Sequence, residues 1–124
     1  MAIQWFPGHM NKAKKAIAER AKSVDMVIEM LDARMPASSE NPLLAQLSKG
    51  KPKLKILNKQ DLADPERTKI WLEHYNSRPD TRAIALDSSE TGAHGKITQA
   101  CRAMIPHRQG INKPLRVLIC GIPN

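Results

Sequence analysis

The stretch Lys53-Leu54-Lys55-Ile56-Leu57-Asn58-Lys59-Gln60-Asp61 decides the fold. Its apolar residues follow Pro52 and run into a polar tetrad, which reads as a short strand from Lys53 to Leu57 that delivers Asn58 to its C-terminal end. Open α/β sheets bind ligands beyond the carboxyl ends of their strands, so the tetrad is a candidate site. A carboxylate at Asp61 can accept two hydrogen bonds from the ring N–H and exocyclic amine of guanine, a donor pair that adenine lacks. Lys59 can lay its aliphatic stem along a purine face, and Asn58 can tie the loop to its neighbours. Gln60 has no assigned task. The alternative for the same four residues is an ordinary polar turn after a strand.

Outward from this stretch, strands and helices alternate. Upstream, Met26 to Leu31 is an apolar run broken by Glu29 and stopped at Asp32-Ala33-Arg34, a buried strand followed by a loop. Pro36 and Pro42 are expected to keep that loop from continuing as helix, with a short helix over Leu43 to Leu47 ended near Gly50. The first helix should be capped by Asn11 and bury Ala13, Ile17, Ala21 and Val24. Downstream, Asp64-Pro65-Glu66 supplies a cap, a first-turn proline and an acid for a helix carrying Ile70, Trp71, Leu72 and Tyr75. Arg82 to Leu86 is a third strand, Ile97 to Ile105 another helix, and Leu115 to Cys120 a fourth strand. The crossover rule then gives a three-layer α/β fold, a parallel sheet with helices on both faces.

Composition agrees. The chain has 124 residues, 41% hydrophobic and 3% aromatic, so one compact unit with an aliphatic core is expected. A net charge of +8 points to polyanionic partners, RNA before membrane. Cys101 and Cys120 have no metal-ligand spacing and suit a reduced, cytoplasmic protein with buried thiols. No run approaches the length of a membrane-spanning helix, and the protein is expected to be a soluble monomer.

Two more strand exits bear on a nucleotide. In Ser88-Ser89-Glu90-Thr91-Gly92 a backbone N–H can reach the guanine carbonyl oxygen, although a helix-capping turn explains the same residues. Gly121-Ile122-Pro123-Asn124 opens like a phosphate loop, a glycine leaving a buried strand and residues that curve around an anion.

Together with Trp5-Phe6-Pro7-Gly8-His9-Met10 and Asp32-Ala33-Arg34-Met35-Pro36, these loops resemble the circularly permuted GTPases, and among them the ribosome-biogenesis GTPase A (YlqF-type) family. The resemblance spans essentially the whole chain. It implies a P-loop NTPase-like GTPase fold in permuted order and incomplete at Asn124, with an N-terminal arm and helix over 1–24 and a base-recognition half over 25–124. It implies GTP or GDP as ligand, magnesium as cofactor, and the large ribosomal subunit precursor with its rRNA as partner. Nucleotide-binding residues are then Asn58, Lys59, Asp61, Ser88, Ser89, Gly121, Ile122, Pro123 and Asn124. Asn124 resembles the asparagine that holds potassium in some relatives. Glu90 departs from the pattern, standing where the related motif often has lysine, so Ser89 is left to read the base through its N–H. GTPases of this type lack the usual water-orienting glutamine, and His9 is the candidate for that catalytic role. The alternative for His9 is a structural histidine holding the N-terminal arm.

The first helix concentrates Lys12, Lys14, Lys15, Arg20 and Lys22 against Glu19, a stripe suited to rRNA phosphates. Lys49, Lys51, Lys53, Lys55 and Lys59 alternate as one solvated side or a second RNA contact. Trp5 and Phe6 pin an arm in preference to stacking on a base. Arg34 is expected to pair with a carboxylate, and Trp71 and Met104 to be core. A non-enzymatic basic RNA-binding module is the competing function, and an adenine-nucleotide enzyme is disfavoured by Asp61.

Overall fold

A computed structural model describes residues 7–87, 89, 91–105 and 115–121, with residues 7–14, 43 and 47 described by backbone alone. The elements are α1 (Pro7–Ser23), β1 (Met26–Asp32), α2 (Pro36–Ser39), α3 (Pro42–Leu47), β2 (Lys53–Asn58), a 3-10 turn (Gln60–Leu62), α4 (Pro65–Asn76), β3 (Thr81–Ala85), α5 (Ala93–Met104) and β4 (Val117–Gly121). The four strands form one parallel sheet in the order β3-β2-β1-β4.

Strand alternation sends two apolar sets to opposite faces. On one face Met26, Ile28, Leu54 and Ile56 pack with Ala100, Cys101 and Ile105 at the α5 end. On the other, Leu31, Leu57 and Ala83 pack with Tyr75 and Trp71 of α4. The expected three-layer parallel sheet is therefore present, with β1 and β2 inside it.

Local chemistry sets the ends. Asp64 caps α4 by accepting the Glu66 N–H at 3.0 Å, as its position ahead of Pro65 anticipates. Asn76 closes that helix onto β3: its Oδ1 accepts the Ala83 N–H at 2.9 Å and its Nδ2 donates to the Ala83 carbonyl at 3.4 Å. Gly50 turns the chain out of the α3 region at φ 86, a left-handed conformation that favours glycine. β4 is fixed to the start of β1, where the Asp25 N–H donates to the Arg116 carbonyl at 2.8 Å and the Arg116 N–H donates to Asp25 Oδ2 at 2.9 Å.

Three expectations change. The first helix starts at Pro7, four residues ahead of the expected Asn11 cap. Pro36 and Pro42 do not exclude helix; each begins one, because the first helical position needs no N–H. Lys55 is not on a solvated side. It is 3% exposed, donates to Glu29 and Glu40, and lies within the layer between the sheet and α4. Lys51 and Lys53 are half-buried and donate to the carbonyls of Val24 and Lys51.

Candidate functional site

β2 ends at Asn58, and the next residue, Lys59, takes a left-handed conformation at φ 62. A non-glycine residue occupies that region only where its surroundings hold it there. Here both flanks are fastened. On the β1 side the Ala33 N–H donates to the Asn58 carbonyl at 2.8 Å; on the β3 side the Gln60 N–H donates to the Leu86 carbonyl at 2.9 Å. The 3-10 turn that follows is closed by the Leu62 N–H on the Lys59 carbonyl and the Ala63 N–H on the Gln60 carbonyl. Asn58 and Lys59 are half-buried and Asp61 is exposed. The tetrad is a fixed, open loop at the carboxyl edge of the sheet.

The β1 exit beside it carries a second fixed group. Asp32 accepts from the Arg34 N–H at 2.9 Å, from Arg34 Nε at 3.0 Å and from Nη2 at 2.7 Å, a two-pronged carboxylate–guanidinium fork. The Asp32 N–H donates to Ser39 Oγ at 3.0 Å, which in turn donates to the Pro36 carbonyl. Arg34 holds the Asp32 carboxyl down at about 2, with Lys59 adding a smaller pull and burial opposing both. Arg34 thus pairs with a carboxylate as expected.

The other nucleotide candidates divide. Ser89 is exposed in the turn after β3, and Gly121 is the last residue of β4, opposite Met30 in the register. Ser88, Ile122, Pro123 and Asn124 lie outside the described residues, as do the side chains of His9, Lys12 and Lys14. Lys15, Arg20 and Lys22 are exposed on α1. Arg20 and Lys22 precede β1 and so lie by the amino ends of the strands, away from Asn58 and Asp61.

Residue identities do not reveal two of these features. Gln60 acts through its backbone N–H, which any residue but proline supplies. Ser39 is a hydroxyl in a four-residue helix that was expected to be loop. The Asp-x-Arg spacing is the one readable signal, since an Asp side chain commonly accepts an N–H two residues on. Trp71 and Met104 are half-buried and pack against the core clusters on opposite faces of the sheet, as expected of core residues. Cys101 is buried and Cys120 half-buried; both thiols are free, and burial raises both above the usual thiol range. Among the described residues no helix is long and apolar enough to cross a membrane.

No protein-family model matches the chain. Among curated proteins it is 39% identical over 131 aligned positions to "Ribosome biogenesis GTPase A" of Bacillus cereus, covering all of this chain and 44% of that protein. It is 38% identical to the protein of that name from Priestia megaterium, covering 46% of it. It is 54% identical over 125 positions to "Mitochondrial ribosome-associated GTPase 1" of Mus musculus, covering 98% of this chain and 38% of that protein. The chain spans less than half the length of these relatives. It is homologous over its whole length to ribosome biogenesis GTPase A.

Proposed function

On the premise of that homology, we propose that the chain is the N-terminal part of a circularly permuted, P-loop NTPase-like G domain. The whole protein is a GTPase acting in assembly of the large ribosomal subunit. The observation that supports this most is the base loop at the end of β2, fastened by Ala33 on one side and by Gln60 on the other. A loop held in place before the ligand arrives loses little ordering entropy on binding.

In this reading Asp61 accepts the guanine ring N–H and amine, Lys59 covers the purine face, and Asn58 braces the loop. Ser89 offers its N–H to the guanine carbonyl, with Ser88 beside it. Gly121 leads the chain into a phosphate-binding turn with Ile122, Pro123 and Asn124. Magnesium binds through few protein ligands and substrate phosphates. No group of three or more metal-ligating side chains occurs among the described residues, so these residues do not form a cage for it. In this reading magnesium, and potassium at Asn124, would be held at the phosphate end of the ligand. His9 is the proposed water-positioning group, and α1 with Lys12, Lys14, Lys15, Arg20 and Lys22 the rRNA contact. The protein works in the cytoplasm, as a monomer.

Competition between GDP and ADP for the intact protein tests this reading. GDP binds, and ADP competes at least about a hundredfold less well, because adenine lacks the ring N–H and amine donor pair that the Asp61 carboxylate accepts. Equal competition overturns it. Steeply salt-dependent RNA binding without guanine preference favours the non-enzymatic RNA-binding module instead.

A further inference from the structure

A cleft of about 350 Å³ opens between the β1 exit and the start of α4, lined by Arg34, Met35, Pro36, Ala63, Arg67 and Trp71 among others. Asn58, Lys59 and Asp61 do not line it, so it is distinct from the base loop. The chain has only four aromatic residues, and one of its two tryptophans is half-buried at this opening. Trp71 is stiffened from behind by Tyr75, stacked on it at 5.8 Å between ring centroids, and Tyr75 is fully buried. Met35, 56% exposed, adds a large apolar surface at the rim.

Charge sets the kind of ligand. Arg67 lies one helical turn before Trp71 on the same side of α4, is exposed, and has no acidic partner among the described residues. Arg34 is pinned by Asp32, which leaves its planar guanidinium in place and its side chain 45% exposed. Asp64 also lines the cleft, its Oδ1 accepting the Glu66 N–H, so one carboxylate stands against two guanidinium groups there. An open indole with guanidinium groups around it, on a chain of net charge +8, matches a ligand that joins a flat ring to an anion.

We propose that this cleft binds one unpaired nucleotide of single-stranded RNA, the base against Trp71 and the phosphate at Arg67. The proposal rests on the RNA-partner side of the function above and not on guanine recognition.

The test uses the intact protein in a Trp5→Phe background, with any tryptophan outside residues 1–124 likewise replaced by phenylalanine, so that Trp71 alone emits. Titration with a short single-stranded oligoribonucleotide quenches its emission, and Arg67→Gln, an exposed change that leaves the fold intact, weakens binding about tenfold. Trp71→Leu weakens RNA binding as well, read by anisotropy of labelled RNA. Unchanged Trp71 emission overturns the proposal, as does equal binding by both variants, which assigns the RNA to α1 alone. An equal response to duplex RNA, or a response to oligoglutamate in place of RNA, also overturns it. GDP titration of the same samples separates the two readings: guanine-selective binding with a silent Trp71 removes the cleft proposal alone. A Trp71 response without GDP binding supports the cleft and removes guanine recognition.

Discussion

Glu29 and Lys55 are register partners across β1 and β2, and Lys55 Nζ donates to Glu29 Oε1 with both side chains 4% exposed. The pair is part of a larger group. Glu29 Oε2 accepts the Asn41 N–H at 2.8 Å, and Glu40 Oε1 accepts from Lys55 at 3.2 Å and from Arg78 Nη1 at 3.1 Å. The network ties the α2–α3 connection to the sheet and to the end of α4. Removing one member of such a group leaves a buried charge uncompensated. Lys55→Met is expected to cost about 3–5 kcal/mol, measured by urea unfolding. Glu29→Leu combined with Lys55→Leu recovers part of that loss.

The Asp32–Arg34 fork gives stability a local pH dependence. The Asp32 carboxyl is lowered from 3.8 to about 2, so its contribution is complete above 3.8 and is lost as pH falls toward about 2. Both side chains are partly exposed, so solvent screening keeps the fork's contribution small. Asp32→Asn is therefore expected to unfold at lower urea than the parent at neutral pH. The gap between the two should close between pH 4 and pH 2. A constant gap across that range refutes the assignment.

Gly121 faces Met30 so closely that a Cβ on it would sit 2.6 Å from Met30 Cβ and 3.0 Å from the Met30 carbonyl oxygen. Neither is the free end of a flexible side chain. Gly121→Ala is expected to push β4 away from β1 and cost about 1–3 kcal/mol, visible as a lower melting temperature. A melting temperature equal to the parent's would show that the β1–β4 spacing is not tight.

Asp61→Asn replaces two acceptor oxygens by one acceptor and one donor. Loss of a charge-assisted contact is expected to weaken GDP binding by the intact protein about 10- to 100-fold. A purine diphosphate bearing a carbonyl where guanine has its amine should gain in the same variant. Calorimetric titration with the two diphosphates checks both directions.

The alternation of strands and helices was legible because each strand is a short apolar run and each helix has a cap or an apolar repeat. α2 was not, whereas α3 was expected over Leu43 to Leu47 and begins one residue earlier, at Pro42. Proline removes an N–H, which stops a helix from inside and suits its first residue equally, and Pro36 and Pro42 took the second role. Lys55 was misread for a related reason: period-two spacing names a face of the strand but not what covers it. Its counter-charges come from residues 29 and 40, and 40 is shared with residue 78, remote in sequence. The site was half legible. Side-chain chemistry at a strand end makes Asn58 and Asp61 candidates, but the bonds that hold their loop are made by backbone groups of Ala33 and Gln60.

The two hydrogen bonds between Asp25 and Arg116 join positions ninety-one apart. β1, β2 and β3 meet through short crossovers, whereas β4 closes the longest loop in the sheet, and distant parallel pairings form late. Until that closure, β1 presents an unsatisfied edge in the middle of the future sheet, the kind of edge that recruits strands from other chains. One side of β1 is covered by residues 117–121, so unpairing β4 is expected to open that edge to strands of other chains.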